Sequence, residues 1–345
     1  MNIREQVPEV PSGHLDLTRI GASDAPAIIG ADRYRSALDV YLRLVNGPAE
    51  DDFPPHLREA AAWGHRVEPL SAVALCEDLG LDVDHLTKGE SRVLEAREWA
   101  RVSPDYLLTG DGDENGLIEC KLISARRFDA EDWGDDGTDR VPARIKAQVL
   151  FQLEALKAEP EYWETQGLDA EALSGAHVAV CVGGQRLRRY WIPWNEALGN
   201  YLRSTCEALW YENVCEQVPP APDSSEAAAK ALAQLATPSA PQRTATEEEA
   251  ELLRSILEAK ESIDAAKKIQ TEAENKLKAL IGYDAGGIVS GGVKASWVER
   301  KGSAQWSAIA KRVAEETGAQ ELLATLQAEM VGKPSRYLRT MRRKS

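Results

Sequence analysis

The chain has 345 residues, 43% of them hydrophobic and 28% charged, with a formal net charge of −15 at neutral pH. That length fits about two domains, and no run of about 18 apolar residues is present to predict a membrane span. The first residues, "MNIREQVPEVPSGHLDLTR", lack the apolar stretch of a secretory signal, so a cytoplasmic location is expected. The five cysteines, Cys76, Cys120, Cys181, Cys206 and Cys215, never form C-x-x-C, so free thiols are expected rather than a zinc or redox motif. An acidic chain argues against nucleic-acid binding, because phosphate contacts need Lys and Arg. The acidity is uneven, however: residues 223–345 hold about 19 basic and 17 acidic residues, and the surplus of carboxylates lies in residues 1–222.

In chain order, "IGASDAPAIIGADRYRSALDVYLRLVNG" predicts two short helices, with Ser23 as the first N-cap and Gly30 as its stop. Residues 57–80 are helical by period and end at Gly80; Pro69 places Glu68 near a helix start or beside a kink. "RVLEAREWARVSPD" predicts one strand leading to Asp105, and "GLIECKLI" a second, joined by a turn-rich hairpin tip "LLTGDGDENG". Alternation sends Ile118, Cys120 and Leu122 to one face, and Glu119, Lys121 and Ile123 to the other. A polar Gly- and Asp-rich loop follows, then a helix over "ARIKAQVLFQLEALKA" that puts Gln148 and Gln152 on one face. "HVAVCVGGQRLRRYWIPW" predicts a hairpin turning at Gly183-Gly184, followed by a helix over "EALGNYLRSTCEALWYENVCEQV".

Three regions are expected: a core over 1–217, a Pro/Ala/Ser-rich linker over 218–246, and a C-terminal region over 247–345. The last region comprises a long amphipathic helix over 247–281, a hairpin around "GGIVSGGVKASWVERK", a further helix and the basic tail "RYLRTMRRKS". The long helix reads as a packing or oligomer helix.

The chemistry concentrates in "SPDYLLTGDGDENGLIECK". Two antiparallel strands joined by a turn bring Asp105 beside Glu119, with Lys121 on the same face as Glu119. Two carboxylates and an ammonium at one spot are costly unless a cation shares it, and hard divalent ions take such oxygen ligands. A metal can activate water and offset charge on phosphate oxygens, with Lys121 orienting or deprotonating the water. A lone D…E-x-K match is weak, since an exposed charged hairpin reads the same way. Glu119 among Ile118, Cys120 and Leu122 strengthens it, because an acid inside an apolar strand needs a partner. Asp111, Asp113 and Glu114 at the tip read as a solvated turn.

The order of the flanking motifs adds more. "IGASDAPAIIG", "WGHRVEP", "SPDYLL…GLIECK" and "WGDDGTDRVPARIKAQVLFQL" resemble, in order, the motifs of the phage-type alkaline exonucleases, the YqaJ-like viral recombinases. The resemblance implies an α/β PD-(D/E)xK core, a mixed β-sheet flanked by helices. It implies a Mg²⁺-dependent (Mn²⁺ substituting) exonuclease that degrades one strand of linear duplex DNA from the 5′ end. The product is a 3′ single strand for a partner single-strand annealing protein. Some members form trimers, so a homo-oligomer is among the expectations. Carried over residue by residue, Asp105, Glu119 and Glu68 are metal ligands and Lys121 is the catalytic lysine. Ser23, Ser103 and Gln148 match positions that hold the terminal phosphate, with Gln152 one turn from Gln148.

Two departures stand out. The Asp-to-Glu separation is longer than in lambda exonuclease, and the phosphate-binding arginine has no match at the family spacing, leaving Arg19, Arg33 and Arg35 as candidates. A related repair or CRISPR-associated nuclease is a second reading, weakened because the cysteine spacing of an iron–sulfur cluster is absent, so no such cluster is expected. A non-catalytic DNA-binding module on the same fold is a third, and the intact Asp105–Glu119–Lys121 set counts against it.

Overall fold

A central strand, β6 (Gly116–Ile123), organises the N-terminal part of the chain. The computed structural model describes residues 18–47, 55–109, 116–235, 241–282, 285–299 and 305–330. The hairpin tip with Asp111, Asp113 and Glu114, and the basic tail, lie outside the described residues. The chain divides into two compact units, Met1–Leu235 and Ala236–Ser345.

The first unit begins with β1 (Ile20–Gly21), α1 (Ala25–Ile28), α2 (Ala37–Asn46) and α3 (Pro55–Leu79). Five strands follow: β2 (Leu86–Lys88), β3 (Arg92–Leu94), β4 (Arg97–Val102), β5 (Tyr106–Leu108) and β6 (Gly116–Ile123). Then come α4 (Ala125–Ala130), α5 (Ala143–Ala158), α6 (Pro160–Glu164), β7 (Gly175–Val182), β8 (Arg186–Pro193), α7 (Glu196–Ala208) and α8 (Glu226–Leu235). The second unit holds α9 (Glu247–Ile281), a β9–β10 hairpin (Gly287–Ser290, Val293–Ser296), α10 (Trp306–Thr317) and α11 (Gln320–Glu329).

Five strands form a mixed sheet in the order β2-β5-β6-β7-β8, parallel only between β6 and β7. A parallel neighbour needs a crossover, and α4, α5 and α6 supply it. A smaller sheet, β1-β4-β3, pairs β1 with β4 in parallel and β3 with β4 antiparallel. The mixed sheet flanked by helices is the architecture that the resemblance implies.

Both faces of β6 are covered. Ile118 and the half-buried Cys120 pack with Ala72, Leu75 and Cys76 of α3. Leu117 and Ile123 pack into the larger core with Val149, Leu150 and Leu153 of α5. The alternation expected across this strand is therefore present.

Several local readings change. "RVLEAREWARVSPD" is two strands, not one: β3 and β4 pair with each other, with a register shift between Val93 and Leu94. Asp24 rather than Ser23 occupies the N-cap position of α1, but its side chain makes no capping bond; Asp24 Oδ2 accepts the Gly21 N–H at 2.8 Å instead. Glu68 lies inside one continuous helix, because α3 runs through Pro69; the carbonyl of His65 forfeits the donor that proline lacks. The helix after β8 passes into a π-helical stretch over Leu209–Cys215. Within the expected linker, α8 is helical and buries Ala231 against Leu38 and Tyr41 of α2. Ala227, Ala228 and Ala231 give α8 a small apolar face, obscured in the sequence by the prolines on either side.

Among the described residues no helix is long and apolar enough to cross a membrane. In α2, Ser36 and Asp39 form a capping box, with Asp39 Oδ2 accepting the Ser36 N–H at 2.8 Å. Losing such a cap costs about 1 kcal/mol, so Ser36→Ala is expected to lower the urea midpoint of unfolding correspondingly while leaving the secondary-structure content unchanged.

Candidate active site

Four separate segments meet at a cleft of about 320 Å³. β6 supplies Glu119 and Lys121, the corner between β4 and β5 supplies Asp105, α3 supplies Glu68, and α5 supplies Gln148. The ladder between β5 and β6 pairs Tyr106 with Ile118. One step further along, Asp105 comes opposite Glu119, and Asp105 Oδ2 accepts the Cys120 backbone N–H at 2.7 Å.

Glu119 is 2% exposed. A carboxylate there must be held by donors, and three side chains hold it. Lys121 Nζ donates to Oε1, Gln148 Nε2 donates to Oε1 at 2.7 Å, and Gln152 Nε2 donates to Oε2 at 2.9 Å. Burial works against the charge of Lys121, but the Glu119 and Asp105 carboxylates outweigh it and raise its pKa.

Asp105 is less well served. Burial, then the charges of Glu119 and Glu68, push its carboxyl well above the ordinary range, and Lys121 and the Cys120 N–H offset this only in part. The same surroundings push up the Cys120 thiol, chiefly by burial, so it is protonated and unreactive. Glu68 pairs with Lys88 Nζ, and His65 Nδ1 lies 3.4 Å from it. Lys88 in turn sits 4.5 Å from the centre of the Tyr106 ring.

These carboxylates fit a hard divalent cation. Mg²⁺ uses about one or two carboxylates and fills its shell with water and substrate phosphate. Among the described residues no trio of His, Cys, Asp or Glu is gathered as a ready-made cage, and an ion with that preference does not require one. Burial is the larger cause of the raised Asp105 carboxyl; the charges of Glu119 and Glu68, which add to it, are what a cation would neutralise.

Not every expected residue reaches the cleft. Gln152 sits behind it on Glu119, with its own Oε1 buried and unpartnered among the described residues. Ser23 and Ser103 are exposed and do not line the cleft. They lie at one end of a neighbouring pair, each two residues beyond the matched Gly21 and Arg101 of β1 and β4. Arg19 Nε is buried without a partner among the described residues. Arg35 is committed to Asp24 at 2.9 Å, and Arg33 lies 3.8 Å from Glu131.

Three contributors escaped the sequence reading. Lys88 had no motif to mark it. Arg101, the penultimate residue of β4, pairs with Gly21, and its Nε is also buried and unpartnered among the described residues; one arginine in a strand gives no signal. Gly89 donates its N–H to the Asp105 carbonyl at 3.1 Å, and a Cβ there would run into the Pro104 carbonyl oxygen. Gly89 therefore lets the Pro104–Asp105 corner close.

Residues 3–157 match the family model of the YqaJ-like viral recombinase domain. The match covers the segment that carries Glu68, Asp105, Glu119, Lys121, Gln148 and Gln152. Among solved structures, the chain is similar to an alkaline exonuclease from Laribacter hongkongensis, LHK-Exo, at 13% identity and a TM-score of 0.37, covering 59% of this chain and 90% of that one. LHK-Exo in complex with dAMP is similar at 16% identity and a TM-score of 0.34, with the same coverage. No curated protein matches the chain.

The raised Asp105 carboxyl gives the chain a testable instability. An acid whose folded pKa exceeds its unfolded value, about 3.9 for Asp, binds protons more tightly when folded, so stability falls as pH rises through that interval. Asp105→Asn keeps an acceptor for the Cys120 N–H and removes the charge. The variant is expected to melt higher than the wild type at neutral pH in EDTA, with the gain vanishing below about pH 3.9; thermal melts across pH measure it. Gly89→Ala is expected to lower the melting temperature at every pH.

Proposed function

We propose that the chain is a Mg²⁺-dependent deoxyribonuclease that digests linear duplex DNA from its ends, 5′ to 3′. The observation that carries this reading is the convergence of Glu68, Asp105, Glu119 and Lys121, from two separate elements and a corner, in one cleft with an excess of negative charge. The family match and the likeness of the motifs support DNA as the substrate.

In this reading Asp105 and Glu119 hold the cation, Glu68 stands beside them, and Mn²⁺ substitutes for Mg²⁺. The cation, when bound, lowers the pKa of water and stabilises charge on the scissile phosphate. The protein's own groups do the rest. Gln148 and Gln152 fix the Glu119 carboxylate, so it does not have to reorganise during reaction. Lys121 keeps its proton at rest because two carboxylates face it. An ammonium held there positions the attacking water and offsets charge as it develops on phosphate oxygen.

Ser23, Ser103 and Gln148, with Arg19, Arg33 or Arg35 as the arginine, are proposed to hold the terminal phosphate. The common end of β1 and β4 that carries both serines supports the pairing. Arg101, at the same end, joins the candidates. The 3′ single strand left behind suits a single-strand annealing partner, and a closed homo-oligomer such as a trimer would keep the enzyme on its substrate. The enzyme is taken to act in the cytoplasm, and its cysteine spacing does not suit an iron–sulfur cluster.

Lys121→Ala is expected to reduce digestion of linear duplex DNA by at least about a hundredfold, with the native secondary-structure content retained at the assay temperature. EDTA is expected to stop the wild type, and Mg²⁺ to restore it. Retained cutting by Lys121→Ala overturns the assigned site. A 5′-phosphorylated end is expected to be digested faster than a 5′-hydroxyl end, and Ser103→Ala to reduce that preference; time courses on end-labelled duplexes measure both.

A further inference from the structure

The polar row on α5 continues past the cleft. Arg144, Gln148 and Gln152 recur every four residues and share one helix face. The two glutamines donate to Glu119, whereas Arg144 Nη2 donates to Glu131 Oε2 at 2.7 Å. Glu131 is thus reached from a residue one turn from Gln148, about 6 Å along the helix.

Glu131 follows α4, and its side chain is only 5% exposed. It also accepts from Arg127 Nε at 2.8 Å and Trp133 Nε1 at 3.3 Å, and Arg33 lies 3.8 Å away. Burial would raise this carboxyl, but Arg127 and Arg144 hold it below the ordinary range. One carboxylate therefore gathers three guanidiniums. The neighbouring acids are already engaged: Asp32 lies 3.7 Å from Arg35, and Asp24 is shared by Arg35 and Arg43. The face carries five guanidiniums against three carboxylates, in a chain whose net charge is −15.

Tyr34 stands among these cations. It is 51% exposed, with the Arg33 and Arg127 guanidinium carbons 4.7 and 5.1 Å from its ring centre. The Asp32 carboxylate accepts the Tyr34 backbone N–H at 2.8 Å and holds the residue in place. A ring serving only the core would be buried. This one presents an aromatic surface flanked by exposed cations, the pairing that takes a base and its phosphates.

We propose that Tyr34, Arg33 and Arg127 form a platform for one nucleotide of a single DNA strand next to the cleft, and that Glu131 is its positioning residue. The base stacks on Tyr34, and the adjoining phosphates meet Arg33 and Arg127. The identity of the polymer as DNA rests on the nuclease reading above; the platform itself is testable by binding alone.

The test uses the full-length protein in EDTA and two fluorescein-labelled single-stranded oligonucleotides of equal length, one with normal bases and one abasic, followed by fluorescence anisotropy. Tyr34→Ala is expected to weaken the normal oligonucleotide about tenfold and leave the abasic one unchanged; Tyr34→Phe restores binding. Arg127→Ala weakens both and lowers the slope of log affinity against log salt by about 1. In a Glu131→Gln background, Tyr34→Ala no longer costs affinity for the normal oligonucleotide. Equal loss on both oligonucleotides in Tyr34→Ala, failure of Tyr34→Phe to restore binding, or no binding by the wild type overturns the platform. Binding with this Tyr34 signature, together with intact linear duplex in Mg²⁺, upholds the platform and overturns the nuclease reading.

Discussion

A carboxylate buried on the face of a central strand constrains everything around it. Glu119 cannot shed its charge into solvent, so the fold must bring donors to it. Lys121 comes from the same strand, two residues on, because alternation returns the side chain to the same face. Gln148 and Gln152 come from α5, which must lie across that face with its four-residue row in register. The position of α5 in turn requires the long crossover between β6 and β7. Asp105 arrives on the other neighbour, β5, at the place where the ladder ends and a side chain is free to turn into the cleft.

The parts of this arrangement written in local pattern could be read from the sequence. The alternation in "GLIECKLI" put Glu119 and Lys121 on one face, and the Gln148–Gln152 spacing put both amides on another. The hairpin logic brought Asp105 opposite Glu119, even though the strand before Asp105 proved to be two. What escaped depends on contacts between segments distant in sequence. Lys88 matters because β2 pairs with β5 and delivers it to Glu68. Gly89 matters because the backbone of Pro104 passes where its side chain would be. Asp24, rather than Ser23, precedes α1, because its carboxylate also answers Arg35 and Arg43. Composition misjudged residues 226–235 for a related reason: alanine gives a weak apolar signal, yet it is small enough to let α8 approach Leu38 and Tyr41.

Net charge does not describe the local field of this surface. The acidic total counts carboxylates wherever they stand, whereas a phosphate meets only the local field. Asp24 and Glu131 are acidic residues whose effect is to collect arginines, and each is nearly buried beneath guanidiniums that reach outward. A buried acid of this kind enlarges the cationic face instead of cancelling it. It fixes long side chains that would otherwise lose rotamer freedom only on meeting a ligand.

α5 joins two carboxylates with opposite needs. Glu119 has one ammonium and two amides, with Asp105 and Glu68 nearby, so its surroundings are short of positive charge. Glu131 has three arginines, so its surroundings have positive charge to spare. The helix holds the two at a fixed spacing because residues 144, 148 and 152 cannot slide relative to one another. A ligand that is itself anionic and brings a divalent cation meets both deficits: its cation goes to the cleft and its charge to the arginines. A nucleic-acid strand with Mg²⁺ is such a ligand, whereas a neutral or cationic polymer would satisfy one end and be repelled or ignored at the other.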